Sequence, residues 1–271
     1  MNRKFYKYQG AGNDFVLIDA RESTPELTRE LVATLCNRHF AIGADGFMSL
    51  ERDPQADFYM RYFNADGGES TMCGNGGRCI ALLAHHLGIG GSVKTFNSSD
   101  GVHTAEILET SGNSGRVRLQ MADVDGYEVK DNYLFIHTGS PHYVEFVKDL
   151  DAVDVFARGR EIRHSEPFAS QGGTNVNFVQ LMPDGTIRIR TYERGVEDET
   201  LACGTGATAC ALATHILCNP NKTNYLVHTL GGDLNVSFER AGETTFGNIF
   251  LEGPAVKVFE TELNLDEIIA R

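Results

Sequence analysis

The strongest constraint on this chain is a long internal repeat. Phe63-Asn64-Ala65-Asp66-Gly67-Gly68-Glu69-Ser70-Thr71-Met72-Cys73-Gly74-Asn75-Gly76-Gly77-Arg78 parallels Tyr192-Glu193-Arg194-Gly195-Val196-Glu197-Asp198-Glu199-Thr200-Leu201-Ala202-Cys203-Gly204-Thr205-Gly206-Ala207. Each copy passes from an aromatic through a polar, glycine-bearing acidic loop into Cys-Gly-x-Gly, and then into an Ala/Leu-rich run of helical character. The runs predict helices over Gly77–Leu87 and Gly206–Leu217, the first stopped by Gly88 and the second by Asn219-Pro220.

The flanks repeat as well. After each helix come a short strand (Val93–Phe96; Tyr225–Thr229), a turn (Ser99-Asp100-Gly101; Gly231-Gly232-Asp233) and two further strands (Val102–Leu108 with Arg116–Met121; Leu234–Glu239 with Asn248–Leu251). Before each helix lies an extended segment next to a glycine-containing turn: Phe15–Asp19 after Gly10–Asn13, and Tyr143–Val147 after Thr138–His142. Two strand-rich copies built round one helix each predict an α+β protein of two pseudo-symmetric domains. The boundary is expected near Gln120–Tyr127, with residues 1–120 and the closing stretch 256–271 forming one domain and 121–255 the other. Lys257–Arg271 has no counterpart at the end of the first copy and is expected to return onto the first domain.

Composition narrows the function classes. The chain has 271 residues, 41% of them hydrophobic and 23% charged, an ordinary globular balance. With 24 basic against 37 acidic residues its formal charge is −13, and no basic patch stands out, which argues against nucleic acid or an anionic membrane as partner. Its longest apolar runs, such as Ile80–Ala84, are far too short to span a bilayer, and Met1–Lys7 lacks a signal-peptide core. A soluble, cytoplasmic protein is the expectation. The six cysteines (36, 73, 79, 203, 210, 218) form no CxxC pair and no zinc-finger spacing, so neither metal nor disulfide scaffold is expected. No phosphate-loop or dinucleotide fingerprint is present either. Cys36, Cys79, Cys210 and Cys218 fall in apolar helical stretches and read as small buried hydrophobes.

Cys73 and Cys203 read differently. A cysteine just ahead of a helix stands beside backbone N–H groups that lack an intrahelical acceptor and feel the positive end of the helix dipole. The glycines following it let an anion approach the backbone. The expectation is a carboxylate cradle flanked by a thiol of lowered pKa. One such site suggests a nucleophile. Two matching ones suggest inversion of a stereocentre, one thiolate removing an α-proton while the other thiol delivers one to the opposite face.

These residues resemble the diaminopimelate epimerases, PLP-independent two-cysteine amino-acid epimerases. The similarity extends through Lys7-Tyr8-Gln9-Gly10-Ala11-Gly12-Asn13-Asp14-Phe15, both cysteine signatures, and Gly173-Thr174-Asn175-Val176-Asn177-Phe178. It implies two domains, each a mixed sheet or barrel wrapped around a central helix, and L,L- to meso-diaminopimelate epimerisation for lysine and peptidoglycan precursors. It also implies no cofactor, an amino-acid substrate and a possible homodimer. Cys73 and Cys203 would be the acid/base pair, with His142 and Glu193 orienting the thiols. Amides of Gly74, Asn75, Gly204 and Thr205 would hold the reacting carboxylate. Asn13, Asn64, Asn175, Glu193 and Arg194 would hold the amines and distal carboxylate, the last through its planar fork. The chain departs from the family pattern at Ser140, usually Asn, and at Gly46, often Gln. Alternatives are a proline or hydroxyproline racemase on the same scaffold, a relative that isomerises without thiols, and a non-catalytic amino-acid-binding protein.

Overall fold

A computed structural model describes residues Asn2–Leu265. The chain divides into two compact units: residues through Leu119 with those from Gly253 onward, and Gln120–Glu252.

In the first unit the strands close into a ring. Asn2–Gly10 pairs antiparallel with Asn13–Asp19, which lies parallel to Gly46–Glu51, itself antiparallel to Phe58–Asn64. Phe58–Asn64 lies parallel to Val93–Ser98, and Gly101–Ser111 and Ser114–Gln120 follow antiparallel. The closing strand is the latter part of Phe246–Asn264. Its Gly253–Val256 stretch pairs with Ser114–Val117, and Val256–Asn264 pairs with Asn2–Gln9. The result is an eight-stranded barrel with no free edge, which removes the unpaired backbone groups an open sheet would expose.

The second unit repeats this order pairing for pairing. Tyr127–Val129, Leu134–His137 and Pro141–Phe146 are antiparallel neighbours, and Pro141–Phe146 lies parallel to Asn175–Leu181. Ile187–Glu193 follows antiparallel, Asn224–Thr229 lies parallel to it, and Gly232–Arg240 and the start of Phe246–Asn264 complete the run antiparallel. A bridge between Val124 and Phe246 sits at the closure. Glu69–Ser70 and Asp198–Thr200 are matching short additions to Phe58–Asn64 and Ile187–Glu193. The expectation for the closing segment needs one correction. It does pair with the amino-terminal strand, but it has a counterpart: three-residue Tyr127–Val129 sits on Leu134–His137 as the closing strand sits on Asn2–Gly10. Residues 266–271 of that expectation lie outside the described residues.

Four α-helices among the described residues complete the fold. α1 (Arg29–Cys36) is capped by Thr28, whose hydroxyl accepts the Leu31 N–H at 3.2 Å. α2 (Gly74–His86) runs through the first unit, α3 (Val155–Arg163) is capped by Asp154, and α4 (Gly204–Leu217) runs through the second. α2 packs on the strands Asn2–Gly10, Asn13–Asp19, Gly46–Glu51 and Gly101–Ser111. α4 packs on the corresponding strands of its own unit, from Leu134–His137 through Gly232–Arg240. A helix apolar on every side is buried on every side. Gly74–Ala84 and nearly all of Gly204–His215 are buried accordingly. Small residues make the fit possible: a Cβ on Gly115 would come within 2.7 Å of Leu82, and one on Gly10 within 3.3 Å of Cys79 Sγ.

Both central helices begin earlier than their propensities predict, at Gly74 instead of Gly77 and at Gly204 instead of Gly206. Glycine weakens an isolated helix. Here enclosure by the barrel outweighs that cost, because helical stability in proteins comes chiefly from packing.

Candidate active site

The earlier helix starts place each signature cysteine at the N-cap. Cys73 (φ −99°, ψ 132°) and Cys203 (φ −113°, ψ 115°) are both extended, and neither side chain caps its helix. The first intrahelical bonds are Gly77 N–H to Cys73 O at 2.7 Å and Ala207 N–H to Cys203 O at 2.9 Å. The amides of Gly74, Asn75 and Gly76, and of Gly204, Thr205 and Gly206, therefore precede the helical ladder and have no acceptor one turn back. Cys73 is half-buried and Cys203 is buried.

In the first unit the structure gathers Asn13, Cys73 and Asn75. Asn13 sits just past a tight turn in which Ala11 (φ 51°) and Gly12 (φ 83°) are left-handed. Its Nδ2 donates to Asp45 Oδ2 at 2.7 Å, and its Oδ1 accepts from Asn75 Nδ2 at 3.3 Å and from the Cys73 thiol at 3.7 Å. Asp45 is held by Arg38, which also grips Asp14, and Lys7 reaches Asp14 at 2.7 Å. Burial acts to raise the Asp14 pKa, but Arg38 and Lys7 outweigh it and hold the carboxyl well below its ordinary range.

Beneath Asn75 lies Arg78, fully buried. Its guanidinium donates to Asn75 Oδ1 at 2.8 Å, to Gly74 O at 3.2 Å and to Pro254 O at 3.4 Å, so neutral oxygens hold a buried cation. Asn64 ends its strand opposite Gly46 and stays exposed, and its backbone closes the turn to Gly67 and Gly68. The missing side chain at Gly46 has a steric cause, since a Cβ there would stand 2.7 Å from the Tyr62 ring.

In the second unit Cys203, Thr205 and His142 come together. Cys203 Sγ lies 3.5 Å from Thr205 Oγ1, which lies 2.9 Å from His142 Nε2. His142 thus reaches the cysteine through Thr205. The Thr205 carbonyl accepts from the Thr138 hydroxyl at 2.8 Å. His142 is fully buried, and burial, with His137 and Arg194 adding to it, pushes its pKa down to about 3, so the ring is neutral at physiological pH. Ser140, the departure from the family pattern, uses its carbonyl to accept the Thr138 N–H at 3.0 Å and closes the turn before His142.

Asn175 is buried and occupied at both ends, Nδ2 donating to Pro141 O at 3.1 Å and Oδ1 accepting the Arg194 N–H at 2.9 Å. Glu193 accepts from the Thr200 hydroxyl at 2.9 Å.

Four polar residues around these groups escape sequence reasoning: Asp45, Arg78, Asn177 and Thr191. Asn177 was visible only as part of a strand motif, and its partners come from neighbouring strands that no spacing rule links. The remaining cysteines divide. Burial pushes Cys36 and Cys79 up to about 12 and Cys210 well above its ordinary value, which suits packing and not chemistry. Cys218 corrects the expectation of a buried residue: it caps α4 at its C-terminal end and is exposed. No group of three or more potential metal ligands occurs among the described residues.

The model of the diaminopimelate epimerase family matches residues 5–125 and 134–258. A diaminopimelate epimerase from Flavobacterium psychrophilum is 48% identical over 96% of this chain and 100% of its own length. One from Chlorobaculum tepidum is 43% identical over 94% and 99%. Among solved structures, a PhzF-family phenazine biosynthesis protein from Bacillus anthracis superposes with a TM-score of 0.76 at 16% identity, covering 97% of this chain and 99% of that one. A hydroxyproline epimerase from Agrobacterium vitis gives 0.71 at 16% identity, covering 98% and 93%. At such identities the two structures establish a shared fold alone. The sequence matches run through both cysteine signatures and nearly the whole chain, and the chain belongs to the diaminopimelate epimerase family.

Proposed function

We propose that this protein interconverts L,L- and meso-diaminopimelate without a cofactor, in the supply of lysine and peptidoglycan precursors. The observation that carries the reading is the matched pair of extended cysteines, each at the N-cap of a buried helix whose first amides precede the helical ladder. Inversion at a carbon needs one group to take a proton and another to return one from the opposite face, and the family has two cysteines for the two roles. In this reading each of two epimerase domains, 1–120 with 256–271 and 121–255, supplies one of them: Cys73 and Cys203. The amides of Gly74, Asn75, Gly204 and Thr205 bind the reacting carboxylate and stabilise it as it gains enolate character. Asn13, Asn64, Asn175, Glu193 and Arg194 hold the substrate's amines and distal carboxylate, and His142 and Glu193 orient the thiols. Asn175 then contributes through the strand and the Arg194 backbone it braces. The enzyme works in the cytoplasm as a homodimer on a small-molecule substrate, with no nucleic-acid or membrane partner. No helix among the described residues is long and apolar enough to cross a membrane.

The test is isotope exchange. In D₂O, L,L-diaminopimelate incubated with the protein gains one mass unit per inverted centre, and chiral separation recovers the meso isomer. Exchange into proline or hydroxyproline but not diaminopimelate transfers the assignment to a racemase of those substrates. Absence of exchange into all three refutes catalysis at an α-carbon.

A further inference from the structure

Cys203 and His142 are fixed by one chain of hydrogen bonds. The fixing chain lies entirely in the second unit and begins at Asn177. This side chain is fully buried, and its neighbours determine which way its amide points. Nδ2 donates to the Tyr143 carbonyl at 2.9 Å, which can only accept, and Oδ1 accepts from the Thr191 hydroxyl at 2.9 Å. The same Nδ2 lies 3.1 Å from His142 Nδ1. A neutral imidazole facing a donor at Nδ1 must accept there and carry its hydrogen on Nε2. Nε2–H then donates to Thr205 Oγ1 at 2.9 Å, and the hydroxyl keeps its own hydrogen for Cys203 Sγ, 3.5 Å away.

We propose that Asn177, through His142, is a positioning residue for Cys203: it sets the imidazole tautomer so that the Thr205 hydroxyl donates to the sulfur and favours its thiolate. The proposal rests on the two-cysteine reading above and adds residues that reading does not include. The space around the relay is closed. A Cβ on Gly206 would stand 2.6 Å from Asn177 Oδ1 and 3.3 Å from Cys203 Sγ, so only glycine leaves room for amide and sulfur together. Three ionisable groups among the described residues bear on the relay directly. Cys210 lies on the same helix and stays protonated, and His137 and Arg194 act on His142 and disfavour its protonation. Each keeps the relay in its neutral form.

The experiment reads the pH midpoint of Cys203 alkylation by iodoacetamide, mapped by mass spectrometry on the full-length protein. A midpoint reports the thiolate and is insensitive to how exposed the sulfur is. It also requires no turnover, so it stands or falls independently of the isotope-exchange assay. Thr205→Val deletes the donor and is expected to raise the Cys203 midpoint by about one pH unit, with Cys73 in the same sample unmoved. Thr205→Ser restores the hydroxyl and the midpoint. Asn177→Asp keeps the volume but presents acceptors to Nδ1, which moves the hydrogen to Nδ1 and turns Nε2 into an acceptor that competes with Cys203 for the Thr205 hydrogen. It is expected to raise the midpoint at least as far as Thr205→Val, because the new carboxylate also opposes a thiolate. If Asn177→Asp prevents folding, the ¹⁵N chemical shifts of His142 in the unaltered protein read the tautomer directly, and a hydrogen on Nδ1 overturns the proposal. A Cys203 midpoint unchanged in Thr205→Val or in a folded Asn177→Asp, or a serine variant as impaired as the valine, overturns the proposal.

Discussion

The heads of α2 and α4 carry the same Cys-Gly-x-Gly and nearly the same backbone, yet they offer their sulfurs partners of opposite polarity. Cys73 faces Asn13 Oδ1, an oxygen that can only accept, and Asp45 fixes it that way by taking the Asn13 amide hydrogens. Cys203 faces a hydroxyl that already accepts from His142 and can donate. The acceptors and cations behind them differ as well. Arg78 fills the space under the first head, and the uncharged pair Asn177 and Thr191 fill it under the second. The two heads share the backbone of an extended cysteine at the N-cap of a buried helix and differ in the side chains around it.

The largest test of the comparison removes the sulfurs. Cys73→Ala and Cys203→Ala are each expected to reduce epimerisation to background, because inversion needs both groups. Neither side chain caps its helix, so truncation should cost no more than about 1–2 kcal/mol of stability, measured by urea unfolding. More than a few per cent of wild-type turnover in either variant would end the two-base assignment.

A smaller effect separates the two heads structurally. Gly76 and Gly206 occupy the same motif position, but the Cβ of an alanine meets the flexible Met48 Sδ at 3.2 Å in the first case and the hydrogen-bonded Asn177 Oδ1 at 2.6 Å in the second. Gly206→Ala is expected to cost about 1–3 kcal/mol from overpacking and Gly76→Ala less than about 1 kcal/mol. Equal costs would mean that the two heads are packed alike.

The smallest effect is a pH slope. The folded pKa of His142, about 3, lies below the ordinary 6.5, so the native state resists a proton that the unfolded chain accepts. Its contribution is complete above pH 6.5 and is lost progressively as pH falls toward 3. Urea unfolding between pH 6.5 and 5, above the carboxylate range, should show stability falling with pH, and His142→Asn should flatten that slope. An unchanged slope would mean that another group carries it.

Much of this was legible because duplication writes the same information twice. The paired motif located both central helices, both cysteines and the order of flanking strands, and the periodicity of Val102–Leu108 or Leu234–Glu239 needs no distant partner to be read. Helix starts were misplaced because glycine propensity is a local quantity and barrel enclosure is not. Cys218 was misread because an apolar neighbourhood in sequence says nothing about which side of a helix end faces water.

The sequence by itself determined the repeat, the α+β character, the two cysteines that head the central helices and the family. All of these reside in residue types at short, fixed spacing, where helix and strand periods hold. Tertiary structure alone decided that the strands close into rings, that Tyr127–Val129 answers the long closing strand, and that Asn177 lies against His142, 35 positions away. It also decided the polarity of each sulfur's surroundings. Hydrogen-bond direction depends on which acceptor or donor a third residue has already claimed, and Asp45 and Thr191 make those claims from strands and loops that the sequence does not place beside their partners.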